Sequence, residues 1–522
     1  MAGIHSSVGN AYSTLHMDFV MQDFNVIIEN IAIGAETALS LTNIGFVSLG
    51  VLMGVFIGVL PGLGALTAIA LLLPLTYQMD AASSLIMLAG IWYGSTFGGS
   101  ITAILLSIPG TPANAITCID GYAMTRQGKG SLALFIAVAS SFIGGSIGIV
   151  VMALLTEPIA RIAISFSSVE YFSLIVLGLI AASSVSNSSV VKGLAMVVIG
   201  IQVGTVGTDV YTGQMRFTFD NFDLADGITL VSVSMGVFGV SEIIFTVNEM
   251  KNRVIDRKSI QMRAMVPSRE QVKKITGPIL RASGVGSFLG ALPGTGPAIS
   301  AFVAYALETR IAKDPEKFGK GAIEGVATPE AANNSADITA FIPTLAFGIP
   351  GSATMALMLG AMMINGVSPG PALITERPEI FWGLIISFWI GSLIILFLSI
   401  PMIGVWIRLL MIPFHILMPA ILVFICIGAY SVGSSPMDVW LVLILAVIGI
   451  YARYFDFPRA PLILGFVLGP MLEDHFRRAM LISRGDPIVF VESTVSFMLL
   501  LVSLAFLIYG LYSGIKSKSK AV

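Results

Sequence analysis

The run Gly58-Val59-Leu60-Pro61-Gly62-Leu63-Gly64 has a second copy far down the chain, Gly290-Ala291-Leu292-Pro293-Gly294-Thr295-Gly296-Pro297. Another motif recurs behind it: Ile108-Pro109-Gly110-Thr111-Pro112-Ala113-Asn114 is echoed by Ile349-Pro350-Gly351-Ser352-Ala353-Thr354. Pro61 and Pro293 are 232 residues apart, and Pro109 and Pro350 are 241 apart. Two different motifs returning in the same order at nearly one offset mark an internal duplication. Each interrupts a long apolar run, because proline removes a helix N–H and glycine loosens the backbone. Tyr93-Gly94-Ser95-Thr96-Phe97-Gly98-Gly99-Ser100 and Pro329-Glu330-Ala331-Ala332-Asn333-Asn334-Ser335 read as further interruptions.

The apolar runs are of membrane length. The chain has 522 residues, 56% hydrophobic and 11% charged, with a mean hydropathy of +0.91. A soluble domain carries about 25% charged residues. No Asp, Glu, Lys or Arg occurs in 37–79, 81–119, 130–156, 171–191, 338–375, 380–407, 409–437 or 493–515. One span takes roughly 20 apolar residues, so with the shorter runs at 193–208, 227–241, 277–307 and 439–452 the sequence predicts about 12 to 14 membrane segments. The runs lack the period-2 alternation of barrel strands, which leaves an all-α polytopic protein. The 28 Lys+Arg nearly cancel the 30 Asp+Glu, so no basic stripe for nucleic acid exists. Cys118 and Cys426 cannot build a disulfide framework or a cysteine metal site.

Five regions follow: an N-terminal segment 1–40, a first repeat 41–248, a basic linker 249–275, a second repeat 276–512 and a basic tail 513–522. Residues 1–125 contain no Lys or Arg, which argues against a cleaved signal peptide. The stretch 12–40 reads as a surface helix or a first span. Loop charges suggest that the repeats are inverted. Loop 76–84 carries only Asp80, against Arg310, Lys313, Lys317 and Lys320 in 308–320. Loop 119–130 has Arg126 and Lys129, against one Arg between two Glu in 365–379. Loop 205–227 holds Asp209, Asp220, Asp223 and Asp226, against Arg477, Arg478 and Arg484 in 473–487. By the positive-inside rule these matched loops lie on opposite sides, with the linker and tail cytoplasmic.

Paired helix interruptions in two inverted halves are a sequence pointer to a transport site. Freed N–H groups at half-helix starts suit a carboxylate, and freed carbonyls suit Na⁺. The candidates are Gly62, Gly64, Gly110, Thr111, Gly294, Thr295, Gly296 and Gly351 at the breaks. Beside them stand Ser95, Thr96, Ser100, Asn114, Asn333, Asn334, Ser335, Ser352 and Thr354, with Pro61, Pro109, Pro293 and Pro350 as the hinges. Helix packing through small residues is the competing reading for any single Gly-Pro kink. Glu330 and Asp337 are the buried-acid candidates for ion coupling. Glu330 also follows Thr328-Pro329, a helix-start pattern, so a capping role stands level with an ion-site role. No metal-ligand spacing and no Ser-His-Asp, HExxH or nucleotide-binding motif appears.

The Leu-Pro-Gly-Leu-Gly run from 60, the block from Tyr93, Ile-Pro-Gly-Thr-Pro-Ala from 108 and Asp120-Gly121-Tyr122 with Arg126-Gln127-Gly128 resemble one known family. So do Pro329-Glu330-Ala-Ala-Asn333-Asn334 and Gly348-Ile-Pro350-Gly351-Ser352. The family is the large membrane subunit (TctA) of tripartite tricarboxylate transporters, and the resemblance spans roughly 25 to 510. It implies a bacterial inner-membrane permease, with a small four-helix membrane subunit (TctB-like) and a periplasmic solute-binding protein (TctC-like) as partners. It also implies uptake of citrate or a related carboxylate, with no cofactor. Importing one negative charge costs about 2.3 kcal/mol per 100 mV, so a trianion costs roughly 7 and needs a coupling ion, Na⁺ or H⁺. Alternating access by an elevator motion is expected by analogy with other inverted-repeat carriers. An intramembrane enzyme and an anion channel are the alternatives.

Overall fold

The computed structural model describes residues 28–60, 63–184, 189–249, 265–292, 295–410, 412 and 414–520. A helix at 28–39 (α1) leads into α2 (Leu41–Gly58), α3 (Ala65–Leu72, prolonged by a 3₁₀ turn to Thr76) and α4 (Ala81–Leu106). The first half continues with α5 (Thr117–Arg126), α6 (Gly130–Ile164), α7 (Ser168–Ser184) and α8 (Val190–Gly204). It closes with α9 (Leu230–Ser234), a π-helical stretch Met235–Val240 and α10 (Ser241–Glu249). The second half has α11 (Arg269–Gly290), α12 (Gly296–Ile311), α13 (Ile323–Thr339), α14 (Phe341–Phe347) and α15 (Ala353–Ile364). After the short α16 (Ala372–Glu376) come α17 (Pro378–Leu410), α18 (Phe414–Gly433), α19 (Pro436–Tyr454) and α20 (Ala460–Ile482). A single turn, α21 (Val489–Glu492), precedes α22 (Thr494–Lys520). Strand pairing among the described residues is confined to a two-residue hairpin, Gly207–Thr208 with Met215–Arg216.

The protein is an all-α, multi-pass membrane protein. Among the described residues five helices are long and apolar enough to cross a bilayer, and six shorter apolar helices accompany them. Helix α11 begins at Arg269, inside the stretch read as linker, and α22 runs to Lys520, through the stretch read as tail.

Glycines set the packing. Cβ atoms on Gly54 and Gly58 of α2 would stand 2.2 Å from the carbonyl oxygens of Ile91 and Ser95 in α4. Cβ atoms on Gly286 and Gly290 of α11 would stand 2.3 Å from those of Ala332 and Ala336 in α13. The glycines differ by 232 residues and their partners by 241, the same offsets as the Pro-Gly motifs. In both pairs the residue numbers rise together, so the helices run parallel. Gly144 and Gly148 of α6 touch Ala331 and Ser335 in the same sense, so α6 runs parallel to α13. Against α4 the order reverses: Ser141 shares Glu330 with Ser100, and Gly145 faces the Tyr93 hydroxyl. The α2/α4 pair and the α11/α13 pair therefore run in opposite directions.

Three sequence expectations need correction. The block 93–100 lies inside the unbroken α4, where Gly90, Gly94 and Gly98 let α2 approach. Residues 329–335 lie inside α13, with Pro329 an interior residue, so Glu330 is in mid-helix and does not cap its start. The helix begins six residues before Pro329, and its N-terminus is capped from elsewhere. Third, loops 205–227 and 473–487 lie on one face and touch: Arg477 binds Asp209 at 3.2 Å and Arg216 binds Glu473 at 3.0 Å. They are charge partners, not matched loops on opposite sides. The other loops group as charge suggests, with Gln127 Nε2 donating to Lys320 O at 2.7 Å and Asn365 Nδ2 to Ser84 Oγ at 3.1 Å.

Candidate functional site

The two second motifs form matching turns. Helix α4 ends on Ser107 (φ 56) and α14 on Gly348 (φ 69), both left-handed and 241 residues apart. The N–H of Ile108 returns to Thr102 O and that of Ile349 to Pro343 O. The chain then folds back, placing Gly110 on Gly99 and Gly351 on Ala340, again with partners 241 apart. Pro109 and Pro350 lie in these turns. Helices α2 and α11 stop at Gly58 and Gly290 and restart at Ala65 and Gly296. Gly64 precedes α3, where a Cβ would stand 2.9 Å from Gly110 O. Pro61, Gly62, Pro293 and Gly294 lie outside the described residues.

Beside the first turn, four helices deliver polar side chains to the buried interior. Glu330 of α13 is fully buried. Its Oε1 accepts from Thr117 Oγ1 of α5 at 2.7 Å and from Asn114 Nδ2 at 3.4 Å. Its Oε2 accepts from Ser100 Oγ of α4 at 2.9 Å and from Ser141 Oγ of α6 at 3.1 Å. Asn114 Nδ2 also donates to Ser100 Oγ, and Asn114 Oδ1 accepts from Thr111 Oγ1 at 2.7 Å. Asn334 Nδ2 reaches Ser141 Oγ at 2.9 Å and Asn333 Oδ1 at 2.6 Å. The donors are all neutral and come from the first half, whereas the acid comes from the second. Such an arrangement holds a negative charge without a salt bridge.

Other candidates lie elsewhere. The hydroxyls of Ser95 and Thr96 bond to Trp92 O of their own helix, at 2.9 and 3.1 Å. Ser335 turns to α11, donating to Ser283 O at 2.9 Å and meeting Ser287 Oγ. Thr295 bonds back to Leu292 O at 3.0 Å, next to Gly296 (φ +65) at the start of α12. Ser352 caps α15 by accepting from Met355 N–H at 3.2 Å, and Thr354 lies in that helix's first turn. Asp337 is buried on α13, two turns beyond Glu330. Thr117 and Ser141 were missed by sequence reasoning. Thr117 stands three residues past Asn114 and was legible from the motif, whereas Ser141 is one serine among several in an apolar run. Among the described residues no three of His, Cys, Asp and Glu gather as metal ligands.

A second buried acid closes the basic face. Asp120 Oδ1 accepts from the N–H groups of Gly319, Gly321 and Ala322 at 2.8–2.9 Å, and Oδ2 accepts from Tyr305 Oη at 2.8 Å. It is Asp120, on α5, that caps the start of α13.

The sequence profile described as the tripartite tricarboxylate transporter TctA family matches residues 44–464. The chain belongs to that family. Among its relatives is the "Uncharacterized 52.8 kDa protein in TAR-I ttuC' 3'region" of Agrobacterium vitis, 46% identical over 496 residues, 95% of this chain and 98% of that one. The "Uncharacterized protein in TAR-II ttuC' 3'region" of the same organism is 47% identical over 237 residues, 45% of this chain and 98% of that one. No solved structure matches the chain. The TctA match spans both Pro-Gly motif pairs and the whole Glu330 cluster, and it makes the chain a component of a transporter family.

Proposed function

We propose that this TctA-family chain is the permease of a binding-protein-dependent secondary transporter. It imports tricarboxylates such as citrate, or related carboxylates, across a bacterial inner membrane, driven by Na⁺ or H⁺. The reading is carried by one observation: the α2/α4 and α11/α13 pairs repeat the same glycine contacts at offsets of 232 and 241 while running in opposite directions. An inverted duplication of this kind lets one site open to either side as the halves exchange conformations. The carboxylates sit on backbone N–H groups at 62–64, 110–111, 294–296 and 351–352. The coupling charge sits in the interior along the polar face of α13, and the hairpins move against the remaining helices as an elevator. By the family's tripartite character, a small TctB-like membrane subunit and a TctC-like soluble binding protein complete the system.

Counterflow of labelled citrate in proteoliposomes tests the reading. A carrier exchanges internal citrate for labelled external citrate at zero net flux. A channel shows no counterflow, and an enzyme converts the label. Co-purifying the soluble partner and identifying its bound anion fixes the carboxylate.

A further inference from the structure

Helix α13 carries its polar residues in one stripe. Glu330, Asn333, Asn334 and Asp337 stand at i, i+3, i+4 and i+7 and share a helix face. Their exposures are 0%, 0%, 8% and 6%. The two acids at its ends lie about 10 Å apart along the helix axis, and their surroundings differ. Both oxygens of Glu330 are bonded by neutral donors. Asp337 accepts no hydrogen bond and joins no ion pair among the described residues.

The groups around Asp337 are polar and uncommitted. Tyr93 Oη and Ser392 Oγ are buried without a hydrogen-bond partner, as is Asn333 Nδ2. The Tyr93 hydroxyl faces Gly145, one turn of α6 beyond the Ser141 that bonds Glu330, and the Tyr93 ring lies 5.7 Å from that of Phe388, one turn of α17 before Ser392. No counter-charge comes from the neighbouring helices. Helix α4 has no charged residue. The charges of α6 (Glu157, Arg161) and α17 (Glu379, Arg408) stand toward the helix ends, as do Arg269, Glu270, Lys273 and Lys274 of α11. Arg281 of α11 is paired with Glu308 of α12. The other acid on this face is Glu330, seven residues back on α13. A bare carboxylate in such a place is strongly disfavoured unless a positive charge joins it.

We infer that Asp337, with the hydroxyls of Tyr93 and Ser392, seats a single positive charge, carried as a sodium ion or a proton, while Glu330 stays committed to its four neutral donors. This rests on the transport reading above and supplies its coupling charge.

The full-length protein in lipid nanodiscs tests the assignment. Its melting is compared in NaCl and choline chloride at equal ionic strength, and its infrared spectrum is scanned for a protonated-carboxyl band. A sodium-dependent rise in Tm identifies the ion as Na⁺, and the infrared band identifies it as a proton. In either case Asp337→Asn abolishes the signal and Glu330→Gln keeps it. Tyr93→Phe retains the acid and weakens the response, about tenfold in the Na⁺ concentration required, or as a shift of the band. Should Asp337→Asn not fold, Tyr93→Phe and Ser392→Ala decide in its place. A wild type showing neither signal, a response retained in Asp337→Asn, or unaltered Tyr93→Phe and Ser392→Ala proteins would overturn the assignment. Citrate counterflow on the same preparations separates the two claims. Counterflow with no Asp337-dependent signal sinks this inference alone, and the signal without counterflow sinks the transport reading.

Discussion

Gly286 lies so close to Ala332 that a Cβ on the glycine would stand 2.3 Å from the alanine carbonyl oxygen. No rotamer relieves such a clash, because the obstacle is backbone, so α11 and α13 would have to separate. Gly286→Val should destabilise the protein by about 3 kcal/mol. Gly284→Val, two residues away with nothing within 4 Å, should be neutral or gain about 0.3 kcal/mol, because valine is a better helix former than glycine. Melting temperatures in detergent check both, and equal losses would mean that the glycine contact is not what brings the pair together.

Asp120 joins α5 to the start of α13 through three backbone N–H groups and the Tyr305 hydroxyl. Asp120→Ala removes the acceptor from all of them, leaves the buried Ala322 N–H unpaired and should cost about 2 kcal/mol. Asp120→Asn keeps an acceptor oxygen and should cost roughly half as much. Hydrogen exchange at Gly319, Gly321 and Ala322 should speed up in the alanine variant. Unchanged protection there would show that the clasp does not hold the helix start.

On the acidic face, burial opposes ionisation of Asp209. Hydrogen bonds from Thr212 and the Tyr211 N–H, together with Arg477, nonetheless hold its carboxyl below the usual carboxylate range. A carboxyl lowered in the folded state stabilises above its unfolded value, about 3.9, and loses that contribution as pH falls through the folded value. The contact between loop 205–227 and α20 should therefore be intact at neutral pH and loosen below about pH 4. Asp209→Asn should flatten this acid dependence, read as proteolysis of the loop against pH. A loop equally resistant at both extremes would count against it.

Much of the architecture was legible in the residues, for stated reasons. Pro61, Pro109, Pro293 and Pro350 announced where helices stop, since proline acts locally on its own N–H. Pro329 misled, because its missing N–H is tolerated within α13 once the neighbouring helices pack around it. The glycines of 93–100 looked like a break and serve close packing, a difference that depends on whether another backbone arrives. Arg477, Arg478 and Arg484 misplaced a loop because the positive-inside count cannot see that Asp209, Glu473 and Asp474 pair with two of them. Ser141 is invisible for the same reason: a lone hydroxyl acquires a role only when Glu330 is brought to it from 189 residues away.

Thr117 gives Glu330 its shortest hydrogen bond, 2.7 Å, and Asn334 braces Ser141 against the same carboxylate. Thr117→Val is nearly isosteric and removes only the hydroxyl, leaving three donors, so the fold should lose about 1 kcal/mol. If the cluster lies beside the carboxylate and couples to its binding, the loss should be larger in the loaded protein. Citrate should raise the melting temperature of the wild type, and this rise should shrink in Thr117→Val and vanish in Asn334→Ala. Ser335→Ala, whose hydroxyl points to α11, should keep it in full. Equal citrate shifts in all three variants would confine the cluster to holding helices together and leave anion binding to the backbone turns alone.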